Sequence, residues 1–516
     1  MLIVYAAVFV VMTWHWPMVG DAALMHYTVF LIHHGWAPYR DILDINMPGA
    51  YWATDLGTRL APSRDVSWRI FDLGLIGLAG LGYFMIARPY SRFAALFATV
   101  MLLLVHGQDG VQQAAQRDLV MAVLLVVAVG FLLEAMRKER SAYLVPFGLA
   151  VGMSATIKPT AAPFGLVLLM ISATYRAGLW GRTWKPQRAE ETREWLAWML
   201  IGIASIGLPL ACMLLWLVHK QALDAWLITE RVFLPYYASL DRLSLGHLLL
   251  HSISPVALLV LLWLVCAALR GPTWPRFERV LVAAAALFSL LALLAQAKPL
   301  PYHRYPLMAF LLLLIAIDLI TAWQRSAAAG RNIARYVALA GLCYGCLVVA
   351  PRSLIKVHQF VAKPQEFDAM LAADLRSVGG DLNRHVQCLD TINECVPTLD
   401  SMGLEPATGF LYDLNLFGSK KQAPVREVQE RFFNEVQKNP PAVFVVVSGY
   451  FLEDTGGYQK LQAWPEFEQW LNAHYTLAEE RVPPHAVRWW GRSQRPAGYR
   501  MYVRNPVTAV ANPLPH

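Results

Sequence analysis

Trp16–Tyr51 reads WPMVGDAALMHYTVFLIHHGWAPYRDILDINMPGAY. It follows the first apolar run and gathers Asp21, His26, His33, His34, Arg40, Asp41 and Asp44 into one polar stretch. From there to residue 351 the chain is mostly long apolar runs broken by short basic loops. Its reading decides the fold, because apolar runs of about 20 residues need a bilayer as solvent. A polar loop of this length between such runs is where carboxylate chemistry has room.

Composition supports that frame. The chain has 516 residues, 57% hydrophobic and only 16% charged, and a mean hydropathy of +0.41. Soluble domains carry roughly 25% charged residues. The net charge of +8 does not point to nucleic acid. The basic residues are spread over short loops, with no continuous basic face or binding motif. The first segment lacks a basic leader and a small-residue cleavage site, so it reads as a span and not as a signal peptide. Six cysteines are too few for a disulfide framework. Cys212, Cys266, Cys343 and Cys346 fall in apolar runs. Cys388 and Cys395 sit close together in the polar tail, where they could bond if that part lies outside the cytoplasm.

About eleven apolar segments follow from length and composition. They lie near 1–17, 67–87, 93–107, 117–136, 142–157, 160–175, 195–218, 247–270, 279–296, 305–323 and 335–351. Every second loop is rich in Lys and Arg: Arg88 and Arg92, Arg137 to Arg140, Arg176 to Arg193, Arg270 to Arg279, and Arg325 to Arg335. The positive-inside rule assigns those loops to the cytoplasm. The loops at 18–66, 106–116, 219–246 and 297–304, and the tail from about 352, then face outward. The expectation is a multi-pass protein of the cytoplasmic (inner) membrane with its tail facing the periplasm or exterior.

The tail is different material. VQCLDTI, TGFLYDL, AVFVVVSGY, HAVRWW and YRMYVR read as strands, and 425–439 and 458–480 as helices. The fold class is therefore a polytopic α-helical membrane protein, domain 1–351, with a C-terminal soluble α/β domain, 352–516.

Ionisable groups on the outward side need a reason. Asp21 either caps the helix beginning at Ala22 or acts as a general base beside the membrane face. From Ala22 to His34 the pattern fits a helix lying in the interface. Gly35–Pro48, GWAPYRDILDINMP, then returns Asp41 and Asp44, which share a face if that stretch is helical. The second outward loop, VHGQDGVQQAAQRDL, offers Asp109, Arg117 and Asp118, the last two able to pair with each other at a helix start. Lys158 lies in SATIKPT, and Lys298, His303 and Arg304 in AQAKPLPYHRYP. Positive charge on this side is disfavoured unless it holds phosphate; snorkelling to ordinary lipid is the plain alternative. In the loop 219–246, Arg231, Tyr236 and Tyr237 either line an acceptor groove or anchor the interface. There is no Walker loop, nucleophile elbow, H-E-x-x-H motif or usable C-x-x-C pair.

An acid after the first span, an interfacial helix and the Gly35–Pro48 stretch together resemble the GT-C glycosyltransferases. These polytopic enzymes use polyprenyl-phosphate-linked sugars and include protein O-mannosyltransferases, lipid A aminoarabinose transferases and bacterial oligosaccharyltransferases. The resemblance implies a catalytic carboxylate at Asp21, with Asp41 and Asp44 in support. It also implies a second acid in the next outward loop, best matched at Asp109. Donor-phosphate contacts are implied in the late outward loops, at Lys298, His303 and Arg304, to which Lys158 and Arg117 add. Asp21 is followed by Ala22 and not by a second acid, which weighs against a paired-carboxylate metal site. No cofactor is expected; a divalent metal is left open, with nothing to indicate one. The expected partners are a polyprenyl-phosphate sugar donor, membrane lipids, and a glycan, lipid or protein acceptor. A transporter or flippase of a lipid-linked or anionic substrate is the competing reading. It would place ionisable groups at mid-span and repeat one half in the other, and neither pattern is visible.

Overall fold

The computed structural model describes residues 1–178, 189–270, 274–298, 300–325, 332–359, 364–391, 394–418, 422–449, 457–482 and 498–506. Among them, seven helices are long and apolar enough to cross a membrane: Arg64–Ala87, Arg117–Lys138, Thr192–His219, Leu245–Leu269, Arg276–Gln296, Pro301–Gln324 and Ile333–Val357. Four shorter apolar helices, Leu2–Thr13, Arg92–Gly107, Ser141–Ile157 and Ala161–Arg176, coincide with the remaining apolar segments of the sequence. The chain is a polytopic helical membrane protein with a small C-terminal sheet domain.

Two compact units divide the residues. One comprises 1–18, 46–223 and 238–360; the other comprises 19–45, 224–237 and 361–516. The sequence suggested a single cut near 351. The sheet unit instead takes in two segments from distant parts of the chain, one of them most of the opening stretch.

In the span unit, Pro301–Gln324 is buried along nearly its whole length. It packs against the helices Arg92–Gly107, Arg117–Lys138, Arg276–Gln296 and Asn332–Tyr344. A helix apolar all round has no preferred face, and the centre of a bundle is where such a helix belongs. Thr192–His219 and Leu245–Leu269 are the opposite case, with Leu200, Leu215 and Leu250 largely exposed. Rows of exposed leucine are stable only against lipid.

In the sheet unit, four strands pair in the order β1-β2-β4-β3, where β1 is Val386–Leu389, β2 Val443–Val447, β3 Tyr475–Arg481 and β4 Tyr499–Arg504. β1 and β2 run parallel, and the other two pairings are antiparallel. β1 and β2 are buried on both faces, as parallel strands are, and β2 reads as a continuous apolar run. An aromatic core of Phe410, Phe432, Phe444, Trp464 and Phe467 fills the space beside the sheet. Phe233, from the 224–237 segment, and Leu43, from the opening stretch, belong to that core.

Two tail elements differ from the sequence reading. Residues 475–480, expected to extend a helix, lie instead in the edge strand β3. The helix Pro465–His474 stops where Tyr475 enters the ladder with β4, and Arg500 pairs with Glu480 across the strands at 3.0 Å. Backbone pairing to a formed neighbour outweighs the helix preference of Ala and Glu. The segment TGFLYDL is not a strand. Gln387 holds it instead: its Oε1 accepts from Thr408 N and Thr408 Oγ1, and its Nε2 donates to Phe410 O. A buried side-chain amide thus replaces the missing ladder bonds. HAVRWW, also expected as a strand, lies outside the described residues.

Candidate active site

The expected site residues fall into two groups, one in each unit. In the sheet unit, Asp21 is the first residue of the helix Asp21–His33. Gly20 precedes it with φ 60 and ψ −134, a backbone region costly for any residue with a Cβ. A carboxylate in the first turn also meets the positive end of the helix dipole. The helix is buried on most of its surface, while Asp21 itself is half-buried.

After this helix, residues 36–47 form turns with one bridge between Pro38 and Ile42. The condition under which Asp41 and Asp44 would share a helix face is not met. Asp41 accepts from Arg40 Nη2 at 2.8 Å and from Ala37 N at 2.7 Å. The Arg40 hydrogen bond, with Ala37's behind it, holds its carboxyl below the usual range. Asp44 is buried and accepts from Ile45 N at 2.7 Å. Both carboxylates therefore have local work in shaping the turn. Leu43 N donates to Gly409 O at 3.0 Å. A Cβ on Gly409 would lie 1.6 Å from Asp41 O, so only glycine fits there. Of the expected acceptor residues, Tyr236 is buried with its hydroxyl close to Gly418, Tyr237 is half-buried, and Arg231 is exposed.

In the span unit the cationic residues gather at helix ends. Lys158 follows the helix Leu144–Ile157 and donates to Asp118 Oδ1 at 2.5 Å and to Gln296 Oε1 at 2.7 Å. Arg304 Nη2 donates to Asp109 Oδ2 at 2.6 Å. Arg117 lies over the Tyr302 ring at 5.5 Å, and Lys298 donates to Leu240 O. Lys158, Arg117 and Lys298 are all near enough to act electrostatically on His303. His303 Nδ1 and Arg304 Nε are buried without a hydrogen-bond partner among the described residues. The alternative in which Arg117 pairs with Asp118 gives way to Lys158 with Asp118. Lys158 comes from a separate helix end and donates to one oxygen, Oδ1, of this fully buried carboxylate.

A third constellation escaped the sequence reading. Asp72 accepts from Ala115 N at 2.6 Å, from His106 Nε2 at 3.1 Å and from Arg69. Arg69 also donates to Thr13 Oγ1, and His106 Nδ1 meets Tyr305 OH at 2.8 Å. His106 and Ala115 bracket the loop that carries Asp109, and Tyr305 follows Arg304. The network therefore fixes the backbone on both sides of the Arg304–Asp109 pair. The signal was present: Arg69 and Asp72 stand i, i+3 in an apolar run, and intramembrane charges of opposite sign at that spacing seek each other. Among the described residues, no three His, Cys, Asp or Glu side chains cluster closely enough to hold a metal ion.

Residues 46–188 match the family model described as dolichyl-phosphate-mannose-protein mannosyltransferase. That segment contains Asp72, His106, Asp109, Arg117, Asp118 and Lys158. The whole chain is similar in structure to ArnT from Cupriavidus metallidurans in its apo state, at TM-score 0.57 and 14% identity, covering 97% of each chain. Against ArnT bound to undecaprenyl phosphate the TM-score is 0.53 at 15% identity, covering 99% of this chain and 98% of that one. The chain has the GT-C fold. The family model thus matches a segment of the chain, and the likeness to the ArnT structures is one of fold. No curated protein matches it significantly in sequence. The GT-C resemblance carried by the opening stretch thus extends to the fold of almost the entire chain.

Proposed function

We propose that this GT-C protein transfers a sugar from a polyprenyl-phosphate donor to a hydroxyl or amine of a lipid, glycan or protein acceptor. The reaction takes place on the outer face of the cytoplasmic membrane, with inversion at the anomeric carbon. The observation that carries the reading is the gathering of Arg117, Lys158, Lys298, His303 and Arg304 at helix ends of the span unit. Buried nitrogens on His303 and Arg304 lack partners among the described residues. A bound ligand is one way such atoms are satisfied, and guanidinium and ammonium donors suit phosphate. The fold is also that of ArnT, a structure of which is bound to undecaprenyl phosphate.

In this mechanism Asp21 takes the proton from the acceptor as its lone pair forms the new bond to the anomeric carbon. The bond from that carbon to the phosphate oxygen breaks, and its electron pair leaves on the lipid phosphate. Lys158, Lys298, His303, Arg304 and Arg117 stabilise the charge that grows there. Asp109, held by Arg304, orients the acceptor. Asp41 and Asp44 shape the loop around Asp21, and Arg231, Tyr236 and Tyr237 contact the acceptor.

The test is transfer by the purified protein from a panel of polyprenyl-phosphate sugars, with and without EDTA. Asp21→Asn should lower turnover by about 10²- to 10⁴-fold, the usual contribution of a general base, with expression and folding unchanged. Wild-type turnover in that variant removes Asp21 from the base role. No transfer from any donor, together with measurable lipid flipping in liposomes, overturns the enzyme reading in favour of a flippase.

A further inference from the structure

The opening stretch and the C-terminal domain lie in one compact unit, and polar contacts join them along the length of the stretch. His26 Nδ1 meets Asp400 Oδ2 at 2.8 Å. Tyr27 OH donates to Leu404 O at 2.8 Å. Trp36 Nε1 donates to Glu405 Oε2 at 2.6 Å, and Arg384 closes on the same carboxylate at 2.6 Å. Burial pushes the Glu405 carboxyl up, but the Trp36 and Arg384 hydrogen bonds outweigh it and hold the group below its usual range. Farther along, Arg431 Nη2 donates to Arg40 O at 2.8 Å.

These contacts have a direction. Asp400 lies in the last turn of the short helix Cys395–Ser401, and Leu404 and Glu405 follow that helix directly. Cys395, at its start, is bonded to Cys388 in β1. The covalent link therefore ties this helix to the sheet at one end, and the other end grips the helix Asp21–His33. His26 and Tyr27 sit one to two turns from Asp21 on that helix, so the grip sets the axis along which Asp21 is presented. Helices of about 12 residues are marginal alone in water, and tertiary packing is what holds them. Propensity alone would not hold this 13-residue helix.

The geometry points to a positioning role for the C-terminal domain: His26–Asp400 and Tyr27–Leu404 clamp the helix that presents Asp21. This inference rests on the reading of Asp21 as the general base. His26, Tyr27 and Asp400 are positioning residues and touch no reacting atom. A misplacement of about 1 Å at a reacting group can cost about 100-fold in rate, so a loosened helix should show in turnover.

The experiment uses full-length protein and compares Asp400→Ala, Asp400→Asn and the milder Tyr27→Phe by steady-state kinetics and hydrogen exchange. Asp400→Ala should lower kcat about tenfold with donor KM within about twofold, because binding is untouched while orientation is lost. Amides of 22–33 should exchange about tenfold faster while those of 443–447 keep their protection, a local opening and not a global one. Tyr27→Phe should move both readouts the same way by about threefold. Asp400→Asn, which keeps an acceptor for His26, should restore most of the loss. Wild-type exchange over 22–33 in both Asp400→Ala and Tyr27→Phe overturns the clamp. Faster exchange with unchanged kcat overturns the positioning role. Asp21→Asn separates the two readings: if it stays active the base reading falls, while the exchange measurement still decides the clamp.

Discussion

The two units solve the problem of charge in opposite ways. The span unit buries Arg69, Asp72, His106, Asp118 and Arg304 almost completely and pairs each of them: Arg69 and His106 with Asp72, Asp118 with Lys158, and Arg304 with Asp109. The sheet unit fills its interior with aromatic and aliphatic side chains. Most of its charges stay near the rim, the Lys460–Asp413 pair at 2.6 Å being a fully buried exception. The difference is one of solvent. A helix bundle surrounded by lipid has no water at its flanks, so a charge placed there must find its partner inside. A sheet domain in water can leave charges at its surface and use its core for apolar burial. Charge inside the span unit therefore has to be explained by a buried partner or a ligand, whereas charge on the sheet unit, Asp21 and the His26–Asp400 pair apart, can rest in water.

The largest expected effect tests the buried network. Asp72→Ala leaves Arg69 buried and unpaired and removes the acceptor for Ala115 N, which should cost about 3–5 kcal/mol in the manner of other broken buried pairs. Thermal unfolding in detergent measures it. A loss under about 1 kcal/mol would mean that water or lipid headgroups reach Arg69, since screened pairs contribute no more than that. The contrast between the units would then weaken.

An intermediate effect tests the covalent link in the sheet unit. Replacing Cys388 and Cys395 with Ser should cost about 2 kcal/mol, as expected for a short closed loop. The loss should appear in the unfolding of the sheet unit and leave the span unit's transition in place. A shared shift of both transitions would show that the units unfold together.

The smallest effect concerns acidity in the sheet unit. Burial, with the nearby Asp390 and Asp368 carboxylates, pushes the Glu394 carboxyl well above its ordinary value. The folded state therefore keeps a proton that the unfolded chain releases above about pH 4.3. Below that pH both states are protonated and the group contributes nothing. As pH rises above it, the folded state is progressively penalised, until the folded group ionises too. Glu394→Gln should raise the melting temperature at pH 7 by about 2–4 °C, the shift that roughly 1 kcal/mol produces in a domain of this size. The gain should vanish near pH 4. An equal gain at both pH values would assign it to packing and not to the proton.

Much of this was legible in the sequence for plain reasons. Each apolar segment became an apolar helix, because length and hydropathy are local properties that a bilayer reads directly. Lys158, His303 and Arg304 stood out because cations beside spans are costly. β1 and β2 were visible as short stretches rich in β-branched and aromatic residues. The edge strand Tyr475–Arg481 was not, because an edge strand with exposed charges looks like a solvated helix until its partner is known.

The sequence by itself determined a polytopic helical membrane protein, the polar stretch at its beginning and the material of its tail. Those follow from composition and periodicity along the chain. Only the tertiary structure decided that residues 19–45 and 224–237 share a core with the tail. It alone revealed that Lys158 takes Asp118, that Asp72 gathers Arg69, His106 and Ala115 N, and that Asp400 holds His26. These are pairings between residues 34 to 374 positions apart, apart from Arg69 with Asp72. No local pattern encodes them; chain packing selects them by shape and by the need to satisfy each buried charge.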